Sequence, residues 1–161
     1  MNSMSRNNDD CNKKNSCPTI IRCGCPGSTT IPAATVLGTT LPLTSLTLNT
    51  SRLKDPCVKL EFASNLVAVV AFTGTLNFQV FKQCKGQSTP VPVGPAWQFS
   101  LVALLSSQTF SFFVCDCDCS CFDECCTYTV TATVASAVTV GTLSVNNSTL
   151  GAIATCRSDC N

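Results

Sequence analysis

The fold is decided by the stretch Thr75-Leu-Asn-Phe-Gln-Val-Phe-Lys82, in which polar and apolar side chains alternate. Successive side chains of a β-strand point to opposite faces of the sheet. Leu76, Phe78 and Val80 therefore share one face. This pattern predicts a strand with that face buried in a core.

Similar strand-sized segments fill most of the remaining chain. Leu66 to Phe72 is continuous and apolar, as expected of a strand buried on both faces. We expect turns at Asn65, Thr73-Gly74, Gly141 and Asn146-Asn147 and a loop over residues 85–95. The other predicted strands are Leu41–Leu48, which is the first, and Cys57–Phe62, Trp97–Leu105, Thr109–Val114, Tyr128–Val134, Val138–Val145 and Leu150–Thr155.

The pattern predicts an all-β protein, because no window has the spacing of a surface helix. About eight or nine short strands are typical of an antiparallel β-sandwich. We expect a jelly-roll type and not an immunoglobulin-like one, because eight short strands fit a jelly roll. Residues 1–28 are polar and rich in Cys, Pro and Gly, which predicts a flexible N-terminal connector arm ahead of a core formed by residues 29–161.

Cysteine is the second informative feature, with 14 residues in a chain of 161. The cysteines are concentrated near the N-terminus, in one internal run and at the C-terminus, and histidine is absent. This distribution favours covalent cross-linking over catalysis. The cysteines are Cys11, Cys17, Cys23, Cys25, Cys57, Cys84, Cys115, Cys117, Cys119, Cys121, Cys125, Cys126, Cys156 and Cys160.

The internal run, Cys115 to Cys126, has two readings. In a strand its alternate cysteines share one face, about 7 Å apart, so disulfides would reach other segments or other subunits. Alternatively, Cys-x-Cys repeats can bind zinc or copper(I) as thiolates. Cys121 and Cys125 are spaced like half of such a site, but no second half stands out, and we expect disulfides and no metal.

The acidic residues of the run predict a solvent-exposed charged face; they are Asp116, Asp118, Asp123 and Glu124.

The formal net charge of +1 makes nucleic acid an unexpected partner. The halves differ, however, because residues 1–85 hold nine Lys/Arg and four Asp/Glu, whereas residues 86–161 hold one Arg and five Asp/Glu. The net charges of the two halves are therefore about +5 and −4. This difference has two explanations: chance placement of solvated charges, or attraction between opposite ends of subunits that associate head to tail.

The polar start, residues 1–10, does not resemble a signal peptide, and Leu66 to Phe72 is too short to span a bilayer, so we expect no membrane partner. Many cysteines without an export signal leave two possibilities. Either the thiols bind metal in a reducing cytosol, or the protein meets oxidising conditions by another route, such as lysis of the producing cell.

We expect no catalytic residue and no cofactor. Without histidine there is no Ser-His or Cys-His dyad. Neither a phosphate-binding Gly-Lys-Ser/Thr loop nor a dinucleotide fingerprint is present, and the acidic residues lack the spacing of a calcium-binding loop.

Four segments together resemble the small cysteine-rich spore proteins of Gram-positive spore formers, and most of all the subunits of endospore appendages, the pilus-like fibres on spores. They are Leu53-Lys-Asp-Pro-Cys-Val-Lys-Leu-Glu-Phe62, Leu76-Asn-Phe-Gln-Val-Phe-Lys-Gln-Cys84, Phe110-Ser-Phe-Phe-Val-Cys-Asp-Cys117 and Cys125-Cys-Thr-Tyr-Thr-Val130. The likeness covers roughly residues 10–155. It implies a jelly-roll core whose subunits polymerise by extending each other's sheets and by disulfides from the N-terminal connector.

The resemblance implies roles for the cysteines. Cys11, Cys17, Cys23 and Cys25 become the candidates for bonds between subunits, although they are spaced apart where the family has adjacent cysteines. The implied core or acceptor cysteines are Cys57, Cys84, Cys115, Cys117, Cys119, Cys121, Cys125, Cys126, Cys156 and Cys160. The expected product is a homopolymeric helical fibre on the spore surface, built from subunits that lysis of the mother cell releases. The expected partners are further copies of the chain and other spore surface proteins. The alternatives are a zinc- or copper-thiolate protein and a spore-coat or anchoring component that does not polymerise.

Overall fold

The computed structural model describes residues 17–103, 105–117, 125–136 and 141–157. Within these ranges the chain forms nine β-strands, and none of the described residues belongs to a helix with the length and apolarity that crossing a membrane requires. The strands are β1 (Ile20–Cys23), β2 (Gly27–Ile31), β3 (Thr40–Asn49), β4 (Pro56–Ala68), β5 (Phe72–Cys84), β6 (Val91–Ala103), β7 (Ser106–Asp116), β8 (Cys125–Val134) and β9 (Leu143–Cys156).

The strands form two antiparallel sheets that pack face to face. In the five-stranded sheet the order is β1-β9-β4-β7, and β2 also pairs with β9. In the four-stranded sheet the order is β3-β8-β5-β6. If β1 and β2 are taken as one interrupted first strand, the two sheets have the strand orders of a jelly roll. The predicted all-β, jelly-roll-type sandwich is therefore confirmed.

The core lies between the sheets and follows the alternation seen in the sequence. Leu76, Phe78 and Val80 of β5 are all buried. The ring of Phe78 lies 5.9 Å from that of Phe62 and 4.6 Å from that of Phe110, and both of these belong to the opposite sheet. Aromatic contacts across the interface thus hold the two sheets together.

The prediction that Leu66 to Phe72 forms one doubly buried strand was wrong. Leu66 is buried at the end of β4, but Val69 and Val70 are 61% and 55% exposed in a turn, and Phe72 begins β5. The chain crosses here from one sheet to the other. A continuous apolar run cannot distinguish a buried strand from a turn that follows one.

Several predicted turns lie inside strands. Asn65 belongs to β4, and Thr73-Gly74 belongs to β5. Asn146-Asn147 is a bulge in β9, where Asn147 has a φ of 54° and the pairing with β4 shifts. The strand predicted over Leu150–Thr155 is therefore the second half of β9. The predicted loop over residues 85–95 is shorter, because β6 begins at Val91.

The described part of the predicted N-terminal arm lies on the five-stranded sheet. Ile20 pairs with Ala154 of β9, and Ile31 at the end of β2 is fully buried. Where β2 begins, the backbone passes close to β3, because a Cβ at Gly27 would overlap the carbonyl oxygen of Leu43. The first 16 residues lie outside the described ranges.

Candidate cross-linking site

Three disulfides lie at one end of the sandwich, which we call the cysteine end. Here β4 begins, β5 and β9 end, and β8 begins. Each bond joins neighbouring strands or their flanking residues within a single sheet. The bonded pairs are Cys17–Cys156 and Cys57–Cys117 in the five-stranded sheet and Cys84–Cys126 in the four-stranded sheet.

A buried ion pair connects the two sheets at the same end. Lys82 Nζ of β5 lies 2.7 Å from Asp116 Oδ2 of β7, and the side chains are 9% and 7% exposed. The hydroxyl of Tyr128 in β8 donates a 2.7 Å hydrogen bond to the same carboxylate oxygen. Because an unpaired buried charge is costly, each of these groups depends on the others for its place in the core.

Four cysteines of the described residues are not in disulfides. Cys23, Cys25 and Cys115 are exposed, and Cys125 is half-buried. The six bonded cysteines thus fix the core of one chain, whereas three thiols remain accessible on its surface. These three are the candidate cross-linking groups.

Cys23 and Cys115 occupy opposite edges of the five-stranded sheet. Cys23 ends β1, and Cys115 is the penultimate residue of β7. Cys23 pairs with Gly151 of β9, and Cys115 pairs with Lys59 of β4, which in turn pairs with Ile153 of β9. Because Gly151 and Ile153 are two residues apart, all of these residues share one face, and both thiols lie on the outer face of the sheet. Strands β9 and β4 lie between them, which separates the two edge strands by about 14 Å and the two cysteines by at least that distance. A disulfide needs a Cα–Cα distance of about 4.4–6.8 Å, so these two thiols cannot bond within one chain.

The surface between the two thiols carries one ion pair. Lys59 Nζ lies 2.6 Å from Glu61 Oε1 and 5.3 Å from the centre of the exposed Phe113 ring. Ile21 and Ile153 are paired neighbours on the same face, and they are 68% and 42% exposed. Exposed apolar side chains beside accessible thiols are suited to contact with another protein surface.

Some of the predicted cysteines form disulfides within the chain, and others are free. Cys17, for which the resemblance implied a bond between subunits, instead bonds Cys156 of the same chain, because β1 pairs with β9 and brings the segment before β1 to the end of β9. Cys23 and Cys25 remain free. In the internal run, Cys117 and Cys126 are bonded within the chain, whereas Cys115 and Cys125 are not. Cys11, Cys119, Cys121 and Cys160 lie outside the described residues.

The prediction of a solvent-exposed acidic face was wrong for Asp116, which is buried in the ion pair with Lys82. Sequence reasoning also missed Lys82 and Tyr128. The alternation of β5 contained the signal for Lys82, because that residue shares its parity with the buried Leu76, Phe78 and Val80. Asp118, Asp123 and Glu124 lie outside the described ranges.

Two further observations bear on the chemistry of the cysteines. Among the described residues, no three Cys, Asp or Glu side chains are grouped so that they could hold a metal ion. Disulfides persist in oxidising environments and are rare in the reducing cytosol. The three disulfides therefore indicate an extracellular, oxidising location.

Residues 17–155 match the model of a family described as a domain of unknown function, DUF4489. No curated protein sequence matches the chain.

Among solved structures, infectious bursal disease virus, Gx strain, contains a similar fold, with a TM-score of 0.55 and 9% sequence identity over 91% of this chain. The chain spans 33% of that viral chain, and the likeness shows the sandwich fold alone. A carbohydrate-binding module specific for non-crystalline cellulose has a TM-score of 0.44 and 16% identity over 75% of this chain and 72% of its own. Eiger TNF of S. frugiperda has a TM-score of 0.46 and 6% identity over 89% of this chain and 96% of its own.

Proposed function

The chain belongs to the DUF4489 family, and we propose that it is a structural protein without enzymatic activity, the self-assembling subunit of a disulfide-cross-linked extracellular fibre. The observation that carries this proposal is the position of two accessible thiols, Cys23 and Cys115, at opposite edges of one sheet. A subunit with a reactive group at each edge can bond two neighbours and so extend a chain of subunits. The resemblance to endospore appendages supports a place for this fibre on the surface of bacterial spores.

Subunits would join by extending the five-stranded sheet. Within the described residues β1 pairs only with β9, and β7 only with β4, so both edge strands have one side open to another chain. The alternating strand directions from β1 to β7 make β1 of one subunit antiparallel to β7 of the next in a head-to-tail array. A displacement of two residues along the strand, about 7 Å, then sets Cys23 opposite Cys115 on the same face.

The disulfide would be needed because sheet pairing alone is weak. Strand β1 has four residues, which gives about four hydrogen bonds to a neighbour. At about 0.5–1.5 kcal/mol each, these bonds contribute roughly 2–6 kcal/mol, whereas association at micromolar concentration requires about 8 kcal/mol. A disulfide between the subunits would block their dissociation until it is reduced.

Cys25 and Cys11 are the further candidates for bonds between subunits. Cys25 is exposed and lies two residues after the end of β1, and Thr44 Oγ1 fixes its backbone by donating a 3.1 Å hydrogen bond to its carbonyl oxygen. Cys11 would act from the N-terminal arm, as the resemblance implies. Cys17 is withdrawn from this set because it is bonded to Cys156.

Oxidative assembly of a mixture of ¹⁵N-labelled and unlabelled full-length protein tests the proposal. Electron microscopy should show fibres, and a non-reducing peptide map should contain a Cys23–Cys115 peptide pair in which one peptide is labelled and the other is not. Monomers that persist at high concentration under oxidising conditions would refute the fibre. Bonds of Cys23 only to cysteines of its own chain would refute the cross-link, and discrete oligomers in place of fibres would favour an anchoring component.

A further inference from the structure

The outer face of the four-stranded sheet carries a row of threonines over a shallow trough. Alternate residues of β8 present their side chains on this face; they are Thr127, Thr129, Thr131 and Thr133. A cavity of about 310 Å³ opens above the first three of them. The residues that line it are Phe81, Gln83, Pro90, Thr127, Thr129 and Thr131.

Strand pairing fixes the positions of these side chains. Thr129 pairs with Phe81 of β5, and Thr127 pairs with Gln83. The hydroxyl oxygens of Thr127 and Thr47 are 2.9 Å apart, and this hydrogen bond fixes the Thr127 end of the threonine row. Gln83 Nε2 donates a 3.0 Å hydrogen bond to the carbonyl oxygen of Gln87 and so holds the amide group at the rim. The trough therefore presents hydroxyl and amide groups from strands of one rigid sheet.

The lining combines polar groups with an aromatic ring. Phe81 lies next to Thr129 in the ladder, and its side chain is half-buried on the outer face. Pro90 adds a second apolar surface. Among the described residues no charged side chain contributes to the lining, so an anionic or cationic ligand would meet no opposite charge from them.

Thr131 lies at the end of the trough away from Thr127, and its hydroxyl is unsatisfied. Its Oγ1 is buried and has no hydrogen-bond partner among the described residues. Buried polar groups in proteins are almost always paired, and an unpaired one costs free energy. Rotation about χ1 exchanges this oxygen with the methyl group, so a ligand hydroxyl in the trough could supply the missing partner.

We propose that this trough binds a neutral carbohydrate, with one sugar ring against Phe81 and its hydroxyl groups on Thr127, Thr129 and Gln83. A sugar ring has an apolar face that packs on an aromatic ring and a rim of hydroxyls that exchange hydrogen bonds with side-chain hydroxyls and amides. The volume is at the small end of the range for ligand pockets, about 300–1,000 Å³, as expected of a site for one end or one segment of a glycan. The inference does not depend on polymerisation, because the lining belongs to a single chain.

Saturation-transfer NMR on the full-length protein tests the proposal, since it observes the ligand and tolerates large assemblies. The neutral probes are cellotetraose, maltotetraose and the tetramer of N-acetylglucosamine, and tetragalacturonate is the anionic probe. At least one neutral probe should show transfer at its ring protons, and tetragalacturonate should show none. Absence of transfer to all three neutral probes, or equal transfer to the anionic one, would overturn the proposal.

Three variants locate the site. Thr129→Val removes a hydroxyl from the middle of the trough and should raise the Kd about two- to tenfold. Phe81→Ala should raise it at least about fivefold. Thr133→Val is the matched control, because Thr133 lies on the same strand and face but outside the lining, with its hydroxyl 2.9 Å from that of Thr40. An unchanged Kd in Thr129→Val, or an equal loss in Thr133→Val, would place the binding elsewhere and refute the assignment.

Discussion

Cys23 and Cys115 lie on the same face of the five-stranded sheet, one at each edge, with strands β9 and β4 between them. Their separation prevents a bond within one chain and leaves each thiol accessible to another molecule. Variants that lack one of the two thiols should therefore behave differently when each is oxidised alone and when the two are mixed.

Cys23→Ser and Cys115→Ser should each abolish the covalent multimers that depend on the Cys23–Cys115 bond and that form a ladder of bands on a non-reducing gel. Each such bond needs one thiol of each kind, and each variant lacks one of them. A mixture of the two variants should form covalent dimers, in which Cys115 of the first variant bonds Cys23 of the second, but no longer species through this bond. Non-reducing gels of oxidised protein measure the result. Both variants are made in a Cys11→Ser/Cys25→Ser background, which removes the further candidates for bonds between subunits. Cys125→Ser in that background is the control and should retain the ladder, because Cys125 is half-buried and lies in the other sheet. Ladders that persist in both test variants would contradict the assignment.

The buried ion pair predicts a large loss of stability when it is broken on one side. Lys82→Met leaves Asp116 buried without its counter-charge and should lower the free energy of unfolding by about 3–5 kcal/mol. The double variant Lys82→Met/Asp116→Leu should recover part of that loss, because neither charge then remains in the core, although the Tyr128 hydroxyl loses its hydrogen bond to Asp116. Urea denaturation without reductant, in a Cys23→Ser background that prevents the proposed cross-link, measures both. If the two variants were equally unstable, the cost would come from altered packing.

Thr131→Val should stabilise the protein by about 1 kcal/mol, because it replaces a buried hydroxyl that has no partner among the described residues with a methyl group of nearly the same shape. Thr133→Val is the control on the same strand and should bring no gain, since the Thr133 hydroxyl has a partner in Thr40. Thermal unfolding of the two variants beside the wild type distinguishes them. A lower melting temperature for Thr131→Val would mean that this hydroxyl has a partner in the folded protein.

Gly141 and Gly38 form a matched pair that separates steric overlap from backbone strain. Both have a positive φ, 79° and 83°. A Cβ at Gly141 would overlap the carbonyl oxygen of Ala71, whereas a Cβ at Gly38 would meet no atom of the described residues within 4 Å. Gly38→Ala should therefore cost only about 1–2 kcal/mol of strain, and Gly141→Ala should cost clearly more. Equal effects in chemical denaturation would mean that the turn beside Ala71 relaxes.

The sequence contained most of the fold because alternation reports directly on burial. Leu76, Phe78 and Val80 were assigned to one buried face, and that face packs in the core. Alternation does not report on strand ends, which is why Val69 and Val70 were assigned to a strand although they lie in a turn. The Asn146-Asn147 pair was assigned to a turn although it forms a bulge, because Asn tolerates the positive φ found in some turns and some bulges, and Asn147 adopts it.

The candidate site was less accessible to sequence reasoning. The spacing of a cysteine run sets which thiols share a face, but the partner of each thiol depends on strand order. Cys17 meets Cys156 only because β1 pairs with β9, and no local pattern specifies that pairing across 139 residues. The carbohydrate trough likewise combines residues of β5, the following turn and β8, which are distant in the chain.

The placement of the disulfides has a mechanical consequence. Tension applied between Cys23 and Cys115 would cross three strand junctions of the five-stranded sheet. Cys17–Cys156 bridges the junction of β1 and β9, and Cys57–Cys117 bridges that of β4 and β7. The middle junction, between β9 and β4, has no covalent bridge among the described residues, but its ladder runs from Pro56 to Ala68. In a pulled filament the four residues of β1 would detach from β9 first, but the Cys17–Cys156 bond would stop that extension. Any further extension would part β4 from β9 in the middle of a subunit, so the extensibility of the filament would be set by that one ladder.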